Sequence, residues 1–282
     1  MVEFVKSLSW HSWCNIGLYR GKNFFVRKTA GDESYNKRLK AQVHKQNSFK
    51  SNNLYTPKIL EQWYIWKLFY FDMEYINSKT LASYMGNITV KEIAELVILI
   101  INTLDIKWSK IIKGTNKIFQ DKIDSLKSNL VDITPNENKA LEILKNFDFS
   151  LVPFSKCHWD LTLENILIAP NKDIYLIDFL DSFFDSRTVD VAKLLQDLEL
   201  WWSYRNKQRD ENLNLRLTIV KHALIESILE LPDWSNTIKH IYYILLLNLL
   251  RIIPYTKDEP TKNFINNSLR SIMNILANNQ FH

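Results

Sequence analysis

Cysteine is scarce in this chain, which has 282 residues and two cysteines, Cys14 and Cys157. Two cysteines so far apart in sequence provide neither the disulfide framework of a small secreted domain nor the ligand spacing of a zinc site. Residues 1–8 also lack the long apolar stretch of a secretory signal. We therefore expect a protein of the reducing cytoplasm, with both cysteines as small buried side chains.

Long hydrophobic runs are also missing. The longest, residues 241–253, is interrupted by Asn248 and Arg251 and ends before Pro254. A membrane-spanning helix needs about 20 predominantly apolar residues. This run therefore predicts a buried helix of a globular protein, and we expect no membrane span.

Glycine is scarce as well, with five residues, none of them beyond Gly114. A glycine-rich phosphate-binding loop is thereby excluded from the second half of the chain. Residues 7–17, where the first half could hold such a loop, contain no G-x-G-x-x-G pattern. If phosphates bind there, serine hydroxyls, Asn15 and backbone N–H groups must contact them.

The net charge of +5 is a mild basic excess. It suits an anionic substrate such as a nucleotide. No dense patch of lysine and arginine indicates a nucleic-acid-binding protein. We expect a nucleotide and a small molecule as ligands and no nucleic-acid partner, and the oligomeric state stays open.

The periodicity of apolar residues changes near residue 76. Before that point the pattern predicts one helix, 32–50, and several strands: a hairpin over 17–29 and runs at 58–60, 63–66 and 68–75. After it, helical spacing dominates, and we predict helices over 90–112, 119–130 and 137–147 and from Thr188 onward. Two short strands, 166–168 and 174–177, lie among these helices.

One stretch, from His158 to Asp178, points to a particular chemistry. It contains H-x-D-x-x-x-x-N, from His158 to Asn165, followed by an apolar run and then Asp178 in I-D-F. Phosphoryl transfer requires a carboxylate that orients a hydroxyl and oxygen ligands that hold Mg²⁺. Asp160 suits the first role, and Asn165 and Asp178 suit the second. The same order of Asp, Asn and Asp occurs in the kinase signature set.

The residues around this stretch resemble the aminoglycoside phosphotransferase and choline kinase family. The resemblance rests on C-H-W-D-L-T-L-E-N-I-L-I, Y-L-I-D-F and V-D-V-A-K-L-L-Q-D-L, and it covers residues 157–198. The form is most similar to small-molecule kinases of bacterial capsule and surface-polysaccharide gene clusters. The resemblance implies ATP and Mg²⁺ as cofactors and transfer of the γ-phosphoryl group to a small-molecule hydroxyl.

The resemblance also implies a fold, namely an α+β, bilobal, protein-kinase-like architecture. Residues 1–76 would form a small antiparallel β N-lobe that binds the nucleotide. Residues 77–282 would form a larger, mainly helical C-lobe for catalysis and acceptor binding. The ATP site would lie between these lobes.

Lys28 in F-V-R-K resembles the phosphate-contacting lysine of the kinase V-A-I-K element. The usual helix partner of that lysine is a glutamate, whereas the helix here offers Gln42 and Gln46, four residues apart on one face. Glu33 is a third candidate partner. Arg27 points to the opposite face of the strand and is expected to be solvated.

Further roles follow from the same resemblance. Residues 72–76 are similar to an interlobe hinge whose backbone binds adenine, which makes Glu74 and Ile76 nucleotide contacts. Leu167 and Ile177 would form the apolar floor beneath the base. His158 is expected to organise the loop without reacting, and Asp190 to brace the loop or cap a helix.

The acceptor site is expected after the Asp190 helix, at Leu200–Arg205. Trp202, Tyr204 and Arg205 could stack on a sugar ring, pair with a phosphate or enclose a quaternary ammonium, and Asp181 is the nearest acid after I-D-F. Core packing is the competing interpretation for these aromatic residues. A sugar or sugar derivative of surface-polysaccharide biosynthesis is the first expectation, and choline, another amino alcohol or an aminoglycoside is the second.

Two other functions compete with that prediction. A catalytically silent pseudokinase is suggested by the missing glutamate and the missing glycine loop, although Asp160, Asn165 and Asp178 are all present. A protein kinase is disfavoured because no A-P-E sequence and no extended activation segment follow Asp178.

Overall fold

The computed structural model describes residues 2–8, 13–103, 110–130, 132–180, 183–208 and 210–281. The chain forms two compact units. The first comprises Met1–Tyr84 with Glu164–Asp181, and the second comprises Met85–Leu163 with Ser182–His282. Each unit is thus discontinuous in sequence, whereas the predicted N-lobe, 1–76, and C-lobe, 77–282, are continuous segments. The assignment of nucleotide binding to the N-lobe and of catalysis to the C-lobe stays a prediction.

The first unit contains the strands of the described residues. They are β1 (Glu3–Ser7), β2 (Cys14–Arg20), β3 (Phe24–Ala30), β4 (Leu54–Tyr55), β5 (Ile59–Ile65), β6 (Leu68–Glu74), β7 (Lys79–Thr80), β8 (Ile166–Ile168) and β9 (Ile174–Leu176). Five of them form an antiparallel sheet in the order β1-β2-β3-β6-β5, and four form a smaller sheet in the order β4-β9-β8-β7. The predicted hairpin is the β2–β3 pair, in which Ile16 lies opposite Lys28.

Helix α1 (Asn36–Ser48) covers one face of the five-stranded sheet. The helix buries residues at intervals of three and four, the spacing of a single helical face, namely Leu39, Gln42, Val43 and Gln46. The two apolar members join the core of the sheet, with Leu18, Val26, Phe69, Phe71 and Met73. Burial of these side chains fixes the helix against β3 and β6.

The smaller sheet is built around the β8–β9 hairpin. Its turn is closed by Asn171, whose side chain donates to the Asp173 carboxylate at 2.7 Å and accepts from the Asp173 N–H at 3.1 Å. Strand β4 pairs with β9 in parallel, and β7 pairs with β8 in antiparallel fashion. A short helix, α2 (Leu81–Tyr84), follows β7.

The second unit is helical. Its helices are α3 (Val90–Thr103), α4 (Thr115–Asn129), α5 (Pro135–Lys145), α6 (Arg187–Leu198), α7 (Glu211–Leu229), α8 (Trp234–Ile252) and α9 (Glu259–Asn278). Helix α8 packs against α6 and α9, and α3 packs against α7. Helix α6 is buried from Thr188 to its end, so it forms the centre of this unit. Within the described ranges, no helix combines the length and hydrophobicity of a membrane span.

The α+β fold class is as predicted, with an antiparallel β part and a helical part. The helix predicted over 90–112 is too long, because α3 ends at Thr103 and Lys110 pairs with Phe154 in an isolated β-bridge. Residues 104–109 lie outside the described residues. Apolar residues continued the helical spacing up to Ile112, although Lys110, in its β-bridge, is not helical.

Candidate active site

Lys28 is the centre of a polar cluster in the first unit. Its ammonium lies 2.8 Å from Asp178 Oδ1 and 3.1 Å from Gln42 Oε1, and the residue is 5% exposed. Burial on its own lowers the pKa of Lys28, but the charge of Asp178 and its hydrogen bond raise that pKa above the ordinary value. The buried lysine is therefore held in its charged form.

The structure distinguishes the three candidate partners of Lys28. Gln42 accepts from the ammonium and also donates to the Tyr35 hydroxyl at 3.2 Å. Gln46 instead donates to the Pro57 carbonyl at 2.8 Å. The ion pair of Glu33 is with Lys67, at 3.9 Å.

Arg27 lies on the opposite face of β3, but the expectation that it is solvated is wrong. Its guanidinium forms a two-pronged ion pair with Asp72, with both N···O distances 2.7 Å. It also lies 4.2 Å from the centroid of the Tyr70 ring. A planar guanidinium readily combines a bidentate carboxylate pair with aromatic stacking, which explains why this face of the sheet retains the arginine.

Asn165 and Asp178 flank the β8–β9 hairpin. The Ile177 N–H donates to the Asn165 carbonyl at 3.1 Å, which extends the hairpin pairing to the residue before Asp178. The backbone of Asp178 is left-handed, with φ 61°, a conformation that aspartate tolerates better than most residues. Asp178 lies outside the regular strand pairing, and its side chain is 33% exposed.

The donor chemistry of this hairpin fits Mg²⁺. One amide oxygen and one carboxylate are hard ligands of the kind that Mg²⁺ takes from protein, with water and phosphate supplying the rest. No group of three or more His, Cys, Asp or Glu side chains within the described ranges forms an all-protein metal cage. If a metal binds at the hairpin, it therefore binds with few protein ligands, as Mg²⁺ does beside a nucleotide.

The loop that contains Asp160 lies in the second unit and is held by buried Asp190. The Asp190 carboxylate accepts from the His158 N–H and the Trp159 N–H, both at 2.8 Å. Trp159 has a left-handed backbone, with φ 78°, which is strained for a bulky side chain and costs on the order of 1–3 kcal/mol. The two hydrogen bonds hold this strained residue directly before Asp160, consistent with the predicted bracing role of Asp190.

His158 is fully buried. Its Nδ1 accepts from the Asp160 N–H at 3.3 Å. This contact between the His158 ring and the loop backbone agrees with an organising role for His158.

Asp197 was missed by the sequence reasoning. Its buried carboxylate accepts from the Leu163 N–H at 2.6 Å and the Ser203 N–H at 2.7 Å. It thus holds the far end of the loop, whereas Asp190 holds the near end. The available signal was the seven-residue spacing between these two acids, which places them on one face of α6.

The predicted adenine contacts all lie in the first unit, including Leu167 and Ile177, which the predicted boundaries assign to the C-lobe. Glu74 ends β6, and the Ile76 carbonyl accepts from the Ser78 hydroxyl at 3.1 Å. Leu167 lies opposite Tyr175 in the β8–β9 pair, so Leu167 and Ile177 share one half-buried face of the hairpin. Of the predicted phosphate loop, residues 9–12 lie outside the described residues.

Among the predicted acceptor residues, Tyr204 and Arg205 contact other side chains of the protein. Tyr204 is buried and contacts Trp201 edge-on, with ring centroids 6.1 Å apart. The Arg205 guanidinium covers one face of Trp202 at 4.3 Å and donates to the Trp202 carbonyl at 2.9 Å. Asp181 lies outside the described residues. Acceptor binding by these residues stays a prediction.

Comparisons with known proteins assign the fold to a class. No protein-family model matches the sequence, and no curated protein sequence matches it. Solved structures do match, and those described next are small-molecule kinases of the protein-kinase-like fold. The chain therefore has this fold.

Three such proteins are similar over most of their length. Choline kinase LicA from Streptococcus pneumoniae has 15% identity and a TM-score of 0.59, with 96% of this chain and 94% of that chain covered. A second LicA structure, in complex with AMP, has 15% identity, a TM-score of 0.56 and coverage of 96% and 93%.

The other two of these three proteins are an aminoglycoside phosphotransferase and an ethanolamine kinase. Aminoglycoside-3'-phosphotransferase of type VIII has 13% identity, a TM-score of 0.54 and coverage of 90% and 94%. Ethanolamine kinase from Plasmodium vivax has 14% identity, a TM-score of 0.55 and coverage of 96% and 81%. At these identities the similarity establishes the fold alone.

Cys14 provides a test of the Lys28 environment. Burial, the largest effect, raises the pKa of the Cys14 thiol to about 11, and the charge of Lys28 opposes this shift. At pH 8 only on the order of a thousandth of this thiol is ionised, and the thiolate is the reactive form. In a Cys157→Ser variant, we expect iodoacetamide to label Cys14 slowly in the native protein and faster as the pH approaches 11.

The urea-unfolded Cys157→Ser protein is the control, since its Cys14 should react at the rate of an ordinary thiol. Equal labelling rates for the native and unfolded protein at pH 8 would show that the thiol is not shielded as described.

Asp190→Ala tests the brace of the loop. The substitution leaves two buried N–H groups without their acceptor, so we expect the free energy of unfolding to fall by about 2–4 kcal/mol. Urea denaturation followed by circular dichroism measures the change. The control is Asp148→Ala, which removes the hydrogen bonds that exposed Asp148 accepts from Ser150 and should cost much less; equal losses in the two variants would contradict the brace.

Proposed function

We propose that the protein is an ATP- and Mg²⁺-dependent phosphotransferase that moves the γ-phosphoryl group of ATP to a hydroxyl of a small molecule. The observation that carries the proposal is the ion pair between Lys28 and Asp178, 2.8 Å long, which joins residues 150 positions apart. A buried lysine beside a half-exposed carboxylate is an arrangement suited to polyphosphate and metal. The shared fold of choline, ethanolamine and aminoglycoside kinases supports it.

The first unit would hold the nucleotide and the metal. Asn165 and Asp178 would be the protein ligands of Mg²⁺, which neutralises phosphate charge when bound. Lys28 would contact the phosphates, and Gln42 would keep the ammonium in place. The backbone at Glu74 and Ile76, with Leu167 and Ile177, would receive the base.

Asp160 in the second unit would act as the catalytic base. Its carboxylate accepts the proton of the acceptor hydroxyl and orients that oxygen towards the γ-phosphorus. The acceptor oxygen then bonds to phosphorus, while the bond from phosphorus to the bridging oxygen breaks. ADP leaves with that oxygen, and Asp160 later releases its proton to water.

Two acceptor classes remain in the proposal. A sugar or sugar derivative of surface-polysaccharide biosynthesis follows from the sequence resemblance, and it is the first candidate. An amino alcohol is the second, favoured because two of the similar structures are a choline kinase and an ethanolamine kinase. A cytoplasmic location, predicted from the scarcity of cysteine, suits ATP as donor.

An ATP-consumption screen over sugars, choline, ethanolamine and aminoglycosides tests the proposal. We expect turnover with at least one acceptor, dependent on Mg²⁺. Absence of both turnover and ATP binding would favour the competing interpretation, a catalytically silent pseudokinase.

Asp160→Asn should lower kcat by about 10²–10⁴-fold, because the amide cannot accept the hydroxyl proton. The affinity for Mg²⁺–ADP should change little, since the proposed nucleotide ligands are in the first unit. Steady-state kinetics and calorimetry measure the two quantities. A near-normal kcat in this variant would exclude Asp160 as the base.

Asp178→Asn should weaken the binding of Mg²⁺–ADP by at least about tenfold, because a neutral amide is a poorer Mg²⁺ ligand than a carboxylate. Binding of ADP in excess chelator should be unaffected or tighter, since one negative charge is lost near the phosphates. Asp173→Asn, in the turn of the same hairpin, is the control. A calorimetric affinity for Mg²⁺–ADP that is the same in Asp178→Asn as in the native protein would remove Asp178 as a metal ligand.

A further inference from the structure

Asp160 has a charged partner that the proposed mechanism does not yet use. Lys193, on α6, places its ammonium 3.0 Å from Asp160 Oδ1. The lysine side chain is 10% exposed and the aspartate side chain 27%. Both residues belong to the second unit, so the contact is internal to one compact body.

We propose that Lys193 is a positioning residue that fixes the Asp160 carboxylate for phosphoryl transfer. The inference rests on the proposed function. A hydrogen bond between two ionised groups is shorter and roughly twice as strong as a neutral one. It therefore restricts the rotation of the partly exposed carboxylate, and it balances the charge of that carboxylate beside an anionic nucleotide.

Helix α6 supplies this contact as part of one surface. Asp190, Lys193 and Asp197 follow each other at intervals of three and four, so they lie on the same face of the helix. Asp190 holds the backbone at residues 158 and 159, and Asp197 holds it at Leu163. Lys193 contacts the side chain between these two anchors. One rigid helix thus sets both the backbone of the loop and the direction of its carboxylate.

The loop around Asp160 contains no lysine or arginine that could pair with the Asp160 carboxylate. Residues 158–164 carry the acids Asp160 and Glu164 and no lysine or arginine. Thr162, two positions after Asp160, is neutral and buried. The charge that faces Asp160 therefore comes from a separate element of the fold.

A purely structural role does not explain a lysine at this position. On α6, Asp190 and Asp197 share the face of Lys193 and accept from loop N–H groups, whereas the residues next to Lys193 in sequence, Val191, Ala192, Leu194 and Leu195, are apolar and buried. Replacing a buried ion pair with apolar side chains is often neutral or stabilising, because the desolvation of the charges is avoided. Packing alone therefore does not require an ion pair between Lys193 and Asp160, and the contact of the ammonium with the Asp160 carboxylate gives the lysine a role.

The experiment compares Lys193→Met, which removes the charge and keeps the length, with Lys193→Arg, which keeps the charge. We expect Lys193→Met to lower kcat by about 10- to 100-fold, as misplacement of a catalytic group does. The KM for the acceptor and the calorimetric affinity for Mg²⁺–ADP should stay within about threefold of the native values. Lys193→Arg should recover at least about tenfold of the lost kcat.

Lys221→Met is the matched control. Lys221 pairs with Glu199 at 3.0 Å, with side chains 13% and 16% exposed, in the same unit. This change removes an equally buried ion pair away from Asp160, so kcat should stay within about twofold even if the thermal midpoint falls. If Lys193→Met does not fold, Lys193→Gln takes its place under the same criteria.

Several outcomes would overturn the inference, and they are distinguishable. A kcat within twofold of native in the neutral Lys193 variant, with native phosphotransfer intact, refutes Lys193 and leaves the proposed function standing. An arginine variant as slow as the neutral one refutes the role of charge. A tenfold loss of Mg²⁺–ADP affinity reassigns Lys193 to nucleotide binding. If the native protein transfers phosphate to no acceptor, the proposed function fails, and this inference fails with it.

Discussion

The Asp190 carboxylate accepts hydrogen bonds from the N–H groups of His158 and Trp159, and the rest of the loop around Asp160 depends on this pair of contacts. Trp159 adopts a backbone conformation that a tryptophan avoids unless its surroundings impose it. A buried carboxylate accepting two N–H groups is a strong way to impose it, because each group would otherwise be desolvated without a partner. The position of Asp160, the next residue, follows from this arrangement.

In the first unit, the buried polar group is a lysine ammonium, and it is stabilised in a different way. Lys28 is buried beneath α1, where an isolated ammonium would lose its charge or destabilise the sheet. Asp178, brought close by the β8–β9 hairpin, and the Gln42 amide keep it charged. The glutamine supplies a weaker bond than the glutamate of the usual kinase pattern, so more of the stabilisation of Lys28 falls to Asp178. Under the proposed function, Asp178 would therefore both pair with a lysine and hold a metal.

Much of the architecture was predictable from periodicity. The β2–β3 hairpin, α1 and the β8–β9 hairpin form where alternating or helical patterns of apolar residues indicated them, because each buries one face against a core. Periodicity failed after α3, where apolar residues kept a helical spacing although Lys110 lies in a β-bridge. It also failed for Arg27, whose solvation depended on Asp72 and Tyr70, residues more than 40 positions away in sequence.

The sequence alone predicted the chemistry that is proposed for this protein. The spacing of Asp160, Asn165 and Asp178 indicates carboxylate and amide oxygens suited to phosphoryl transfer, because that reaction needs one carboxylate for the hydroxyl and oxygen ligands for Mg²⁺. The tertiary structure alone decided which groups surround them: Gln42 and not Gln46 on Lys28, Asp197 on the far end of the loop, and Lys193 on Asp160. Such partners are separated by tens of residues, and a contact at 3 Å is fixed by how helices and strands pack, which local sequence patterns do not encode.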